Sequence, residues 1–370
     1  MHKQNRGKIE VKSKVPLSTR KDLSLAYTPG VAEVCKKIEQ DKKQSWRLTN
    51  RANTVAIVSD GSAVLGLGDI GPEAGMSVME GKSVIFKKFA DVDAYPLCIN
   101  ANSEEEIVQF CRAVAPSVGG INLEDISAPT CFEVLEKLEK ELSIPVFHDD
   151  QDGTAIVTLA ALINACRVTG KNIAELKVVI NGAGAAGISI ARLLLNYGVK
   201  DIKTLDSKGI LSPDRKDLNR FKEDIARKTN QYKQSGGIKE ALFGSDVFVG
   251  VSQAGVVTQK MVESMNPHPI ILAMANPTPE IWPEQARKAG ASIVGTGRSD
   301  YPNQINNALV FPGMFRGLLD AGVAEVTPRI KIDAAQALAY ILKKPTSNKL
   351  LPRITDKSAV KAIAKKVKKK

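Results

Sequence analysis

Between residues 54 and 148, short apolar runs alternate with amphipathic stretches. TVAIVSD (54–60) is continuously apolar, the pattern of a strand buried on both faces. SVIFKKFA and AYPLCIN read as further strands. SEEEIVQFCRAVAPSV (103–118) has helical spacing, with Ser103 as N-cap and acids in the first turn. INLEDI and PVFHDD each end an apolar run in carboxylates, and TCFEVLEKLEKEL between them is a helix. The apolar segment 153–170 is a long helix placed to link two halves. Beyond it, KVVIN, a helix over 185–198 and DIKTLDS form a strand–helix–strand unit. A polar helix over 217–234 follows. DVFVGVS (246–252), PIILAMANP (269–277) and ASIVGTG (291–297) are short strands ending in small or polar residues, and 303–322 is a loop and helix. Alternation of this kind predicts the α/β class.

A chain of 370 residues suits two domains better than one core. With 43% hydrophobic and 25% charged residues it is globular in composition. No apolar run reaches the ~18 residues of a membrane span, and the basic N-terminus lacks a signal-peptide core. The five cysteines are scattered, with no CxxC pair, which fits a reducing cytoplasm. Much of the net charge of +12 lies in the last fifteen residues, where seven lysines face one aspartate. Such a tail either seeks an anionic surface or is the solvated side of an end helix with Val360, Ile363 and Val367 on its inner face. No aromatic residues interleave with the lysines, so the helix is expected, with no nucleic acid or membrane as partner.

NGAGAAG (181–187) directly follows a strand and opens a helix, as a dinucleotide fingerprint requires. Gly182, Gly184, Ala185, Ala186 and Gly187 would bring backbone N–H groups to a pyrophosphate. Asp206 ends the next strand, about 20 residues on, where a carboxylate accepts the ribose hydroxyls. It would repel a 2′-phosphate, so NAD is expected over NADP, with Lys208 softening the preference. A second G-x-G-x-x-G, GLGDIG (66–71), is followed by Pro72, Gly75 and Gly81, which interrupt a helix. It is expected to be a tight loop shaping a cleft. The expected domains are therefore an N-terminal α/β substrate and metal domain (1–152), a doubly wound Rossmann-type NAD-binding domain (153–325), and a C-terminal helical segment with the basic tail (326–370).

Glu124, Asp125, Asp149 and Asp150 end two apolar runs and would repel one another without a cation. Carboxylate oxygens select hard divalent ions, Mg²⁺ or Mn²⁺. Glu124, Asp125 and Asp150 are the expected ligands, with Asp149 behind them. His148 is expected to face away, because neighbouring strand residues point to opposite faces. Lys82, ahead of an apolar run, is a candidate base, and Tyr27, beside a Pro-Gly turn, a candidate acid.

AYTPGVA, DGSAVLGLGDIGPEAGMSVMEGK, INLEDISAP, VFHDDQDGTA, NGAGAAG, ANPTPE and GRSDYPNQINNALVFPG together resemble the malic enzyme family in its short bacterial or archaeal form. The resemblance spans roughly residues 20–325. It implies oxidative decarboxylation of malate to pyruvate and CO₂ with NAD(P)⁺ and Mg²⁺ or Mn²⁺. By motif, Tyr27 and Lys82 match the catalytic pair, Asp149 the aspartate near the lysine, and Glu124, Asp125 and Asp150 the metal ligands. Asn276 and Asn307 match the substrate-contacting asparagines, and Asn276 also counts with the cofactor-binding residues. Two positions depart. Ala63 stands where large animal-type members carry a carboxylate-binding arginine, leaving Ser62, backbone amides or a partner chain to hold that carboxylate. Asp152 stands where many short members carry histidine. The alternative activity is oxaloacetate decarboxylation without net redox chemistry. The long N-terminal segment and the missing arginine point to a homodimer, with Lys82 or Tyr27 contributed across the two-fold axis or kept within its own chain.

Overall fold

The computed structural model describes residues 2–64 and 66–368, so the last two lysines of the basic tail lie outside it. Two sheets carry the fold. The first has four parallel strands, β1 (Thr54–Ser59), β2 (Asp93–Cys98), β3 (Gly120–Leu123) and β4 (Val146–His148), in the order β2-β1-β3-β4. The second has six, β5 (Lys177–Asn181), β6 (Asp201–Asp206), β7 (Gly209–Ile210), β8 (Val247–Gly250), β9 (Ile270–Ala273) and β10 (Ile293–Thr296), in the order β10-β9-β8-β5-β6-β7. Only the short β7 runs antiparallel. Every residue of β1, β3 and β4 is buried, which is why these segments read as unbroken apolar runs.

Helix Thr154–Thr169 connects the first sheet to the second along the chain, is buried from Ala155 to Cys166, and ends at Gly170 in the left-handed region, a position that favours glycine. Asn164 on it donates to the carbonyls of Ala339 (2.8 Å) and Leu350 (2.7 Å), tying down the chain that follows the second sheet. Helix Phe311–Ala321 returns to the first sheet. Phe315 meets Phe86 edge-on at 5.3 Å between ring centroids and Phe147 at 5.9 Å, and Phe311 meets Phe86 at 4.7 Å. Such aromatic pairs contribute about 0.5–1.5 kcal/mol each beyond their burial. In helix Ser358–Val367, Val360, Ile363 and Val367 are buried and the described lysines lie on the outer side, as the amphipathic pattern predicts.

One expectation fails. Residues 71–90 are not a loop followed by a strand. Helix Gly71–Ile85 runs through Pro72, Gly75 and Gly81 and continues into one wider turn, Phe86–Ala90. Pro72 sits in the first turn, where its missing N–H costs nothing. Gly75 lies against the Gly61 backbone, so the glycine serves close approach and does not interrupt the helix. SVIFKKFA is apolar because Phe86 and Ala90 are buried on one side of this helical segment.

Candidate active site

β3 and β4 are adjacent, parallel and in register at Leu123 and His148. Their carboxyl ends therefore release Glu124–Asp125 and Asp149–Asp150 side by side, the edge where open α/β sheets place their sites. One carboxylate oxygen each from Glu124, Asp125 and Asp150 lies within 4.8 Å of the other two. Asp125 turns into this cluster through a left-handed backbone (φ 52°), and its N–H donates to Asp150 Oδ2 at 2.8 Å. Asn122 Nδ2 donates to Glu124 Oε2 at 3.0 Å.

Lys82 reaches the cluster from helix Gly71–Ile85. Its Nζ lies 2.8 Å from Glu124 Oε1, also contacts Asp149, and sits 4.0 Å from the centroid of the Phe311 ring. Burial pulls the Lys82 pKa down, but Asp149 and Glu124 overcome it and hold it above the usual lysine value. Burial raises Glu124, Lys82 pulls it back, and the neighbouring carboxylates push it further up. Burial and Asp150 push Asp125 up to about 8, and burial, against the pull of Lys82, lifts Asp149 to about 6. Among the described residues, Asp125 Oδ2 is buried without a hydrogen-bond partner. A hard divalent cation fits this donor set: it would take the orphaned oxygen and relieve the like-charge repulsion.

The turn Asp149–Gly153 that carries Asp150 is tightly packed. A Cβ on Gly153 would fall 1.8 Å from Asp149 Oδ1 and 3.2 Å from the Cβ of Asn307. Asn307 thus lies against the turn. Asn276 lies just past β9; its carbonyl approaches Gly66 and its Nδ2 donates to Met274 O at 3.3 Å. His148 is fully buried, with Nδ1 3.8 Å from Asp150 Oδ2, and is not among the clustered ligands. Ser62 is already engaged. Its Oγ donates to Asp60 Oδ1 (2.7 Å) and accepts from the Ser127 N–H (2.9 Å). Tyr27 stands apart. It is 68% exposed, and among the described residues it makes only backbone hydrogen bonds within the N-terminal helices.

A cavity of ≈ 570 Å³ opens above β5, lined by Asn181, Gly182, Gly184, Asp206, Lys222 and Ser252 among others. Gly182 adopts φ +120°, and a Cβ on Gly187 would fall 1.7 Å from the Gly182 carbonyl oxygen, so both positions need glycine. Ala185 and Ala186 open helix Ala185–Tyr197 and pack partly buried against the core. Asp206 sits at the far end of the cavity, but not alone. Arg215 holds it through both oxygens (2.8 and 3.1 Å), and Lys222 Nζ lies 2.8 Å away. Burial alone would raise its pKa, yet these partners and the Lys208 N–H hold it at about 2. Arg215, Lys222 and Ser252 were not singled out from the sequence. Ser252 alone had a signal, as the polar end of DVFVGVS; Asn181 Nδ2 donates to its Oγ at 2.6 Å.

A cavity at the glycine-rich turn after β5, together with a buried carboxylate–lysine cluster at the ends of β3 and β4, fits the class of metal-assisted, nicotinamide-linked α/β enzymes. Residues 6–106 match the family model "Malic enzyme, N-terminal domain" and residues 151–370 match "Malic enzyme, NAD binding domain". The chain belongs to the malic enzyme family. A bifunctional malic/malolactic enzyme of Bacillus subtilis is 53% identical over 370 residues, covering 99% of this chain and 90% of that one. An NAD-dependent malic enzyme of Geobacillus stearothermophilus is 48% identical, covering 98% of this chain and 76% of that one. The crystal structure of an NAD-dependent malic enzyme from Thermotoga maritima superposes with a TM-score of 0.96 at 46% identity, over 99% of this chain and 97% of that one.

Proposed function

We propose that this chain oxidatively decarboxylates malate to pyruvate and CO₂, reducing NAD⁺ or NADP⁺, with Mg²⁺ or Mn²⁺ held by Glu124, Asp125 and Asp150. The observation that carries the reading is the buried contact of Lys82 with Glu124 and Asp149 next to those ligands. When bound, the cation would supply positive charge that acidifies the malate hydroxyl, and the nicotinamide would be the hydride acceptor. Lys82 takes the C2 hydroxyl proton. Its pKa is raised because Asp149 and Glu124 both claim it; a cation held by Glu124 would weaken one of those claims. Asp149 orients the ammonium. Asn276 and Asn307 contact the substrate. Gly182, Gly184, Ala185, Ala186 and Gly187 cradle the pyrophosphate, and Asp206 meets the ribose.

The β-keto acid so formed loses its C4 carboxylate as CO₂, the C3–C4 pair passing into an enolate, and Tyr27 then protonates C3. We assign its hydroxyl to the neighbouring subunit of a homodimer. Val11, Leu17 and Leu25 are exposed along with Tyr27, an apolar stripe that a second copy would cover. Lys82, by contrast, has its partners within its own chain. No helix among the described residues is long and apolar enough to cross a membrane, and a cytoplasmic setting suits five free thiols.

The test is the appearance of reduced nicotinamide from malate, Mn²⁺ and NAD⁺ or NADP⁺, abolished by chelator and by Asp150→Ala. Turnover of oxaloacetate alone, with none of malate, would select the non-redox decarboxylase instead.

A further inference from the structure

Asp152 departs from the family pattern, and neither proton transfer nor cation binding uses it. It lies in the turn Asp149–Gly153, two positions after Asp150, and is 5% exposed. Its Oδ1 accepts from Lys331 Nζ at 2.6 Å, and its Oδ2 is buried with no hydrogen-bond partner among the described residues. Lys331 belongs to helix Pro328–Ala339, 179 positions further along the chain, and is itself mostly buried. The pair borders a cavity of ≈ 160 Å³ that none of Lys82, Glu124, Asp125, Asp149 or Asp150 lines. Glu136, Glu139 and Arg192 share that cavity, so Lys331 answers an acidic wall as well as Asp152.

We infer that Lys331 is a positioning residue for the cation site: by pairing with Asp152 it fixes the turn that presents Asp150. A buried carboxylate deprived of its counter-charge is strongly unfavourable. Asp152 and Asp150 share one five-residue turn that is tightly packed at Gly153, so displacement of the turn at Asp152 is passed on to Asp150. Gln151, between them, is anchored separately by donating to Cys131 O at 3.1 Å. Asp152 has no comparable second anchor. Helix Pro328–Ala339 therefore sets how well the cation ligands are held, in the way outer residues of metal sites tune affinity. This inference rests on the cation reading above.

The test is Mn²⁺ titrated calorimetrically into metal-free protein. Lys331→Met weakens binding about tenfold, and adding Asp152→Asn restores it to within about twofold, because no buried charge is then left unpaired. Lys331→Arg binds as the wild type does. Should Lys331→Met fail to fold, Lys331→Gln takes its place with the same expected loss and rescue. Unchanged binding in the Lys331 variant overturns the inference. So does tighter binding, which the mere removal of a nearby positive charge predicts, and so does a loss that Asp152→Asn does not rescue. A wild-type protein that binds no Mn²⁺ removes the cation site itself, whereas a variant effect missing from a Mn²⁺-binding protein removes this inference alone.

Discussion

Lys82 Nζ and Glu124 Oε1 meet at 2.8 Å, both buried, while the same ammonium also contacts Asp149. One positive charge is thus shared between a proposed cation ligand and a carboxylate behind it. A divalent cation held by Glu124 would relax one hold on Lys82 and leave its contact with Asp149. Lys82→Ala should therefore lower kcat for malate by about 10²–10⁴-fold, the usual contribution of a proton-transfer group. Mn²⁺ should still bind, measured calorimetrically. A variant with unchanged kcat would take Lys82 out of the mechanism.

The carboxylate cluster makes the metal-free protein sensitive to pH. Asp125 is pushed up to about 8 and Asp149 to about 6. An unfolded aspartate titrates near 3.9, so between about pH 4 and pH 8 the folded state holds more protons than the unfolded one. Their contribution to stability is then fully present below the unfolded pKa and is lost as pH rises through the folded values. Thermal unfolding in chelator should show Tm falling from about pH 5 to about pH 8. The stabilisation by Mn²⁺ should grow over the same range, because binding must displace those protons at the lower pH. An Mn²⁺ increment that is equal at both ends would count against the cluster as the binding site.

Strands β1, β3 and β4 were legible because they are buried on both faces, and a parallel sheet so covered reads as an apolar run. The carboxylates were legible for the same reason, since each pair directly follows such a run. The segment from Gly71 to Ala90 was not. Two glycines and a proline suggested interruptions, and SVIF has the short apolar character that periodicity cannot divide between strand and helix. Contacts distant in sequence left no local signal either. Nothing around Asp206 shows that Arg215 and Lys222, nine and sixteen positions on, will fold back onto it.

That fold-back changes the expectation for cofactor choice. An isolated Asp206 would accept the ribose hydroxyls and repel a 2′-phosphate. Clamped by Arg215 and Lys222, its charge is largely answered, so discrimination against NADP⁺ should be modest. The unmodified protein should still have the higher kcat/KM with NAD⁺. Asp206→Ala frees both cations for a 2′-phosphate and should move the NAD⁺/NADP⁺ ratio by about tenfold toward NADP⁺, the scale of one charge-assisted contact. Lys222→Ala should move it the opposite way. Steady-state kinetics with both cofactors checks this; a ratio unmoved by either substitution would place the ribose elsewhere.

The proposed shared site gives the last prediction, and the geometry dictates which subunits to mix. Lys82, Glu124, Asp149 and Asp150 cluster within one chain, so lesions at any two of them cannot complement one another. Tyr27 lies on the exposed N-terminal segment and makes no contact with that cluster among the described residues. Tyr27→Phe and Lys82→Ala are therefore the informative pair. Each homodimer should be nearly inactive with malate, by about 10²–10⁴-fold. In a heterodimer one site would carry both lesions, and the other would combine native Tyr27 with native Lys82. Purified heterodimers, isolated through two different affinity tags, should regain one native site per dimer. Tyr27→Phe homodimers should also reduce a ketoacid such as pyruvate better than they run the full reaction, since that step does not need C3 protonation. Sedimentation at micromolar concentration should report a dimer. No recovered activity in verified heterodimers would confine Tyr27 to its own chain, and a monomer in sedimentation would overturn the shared site altogether.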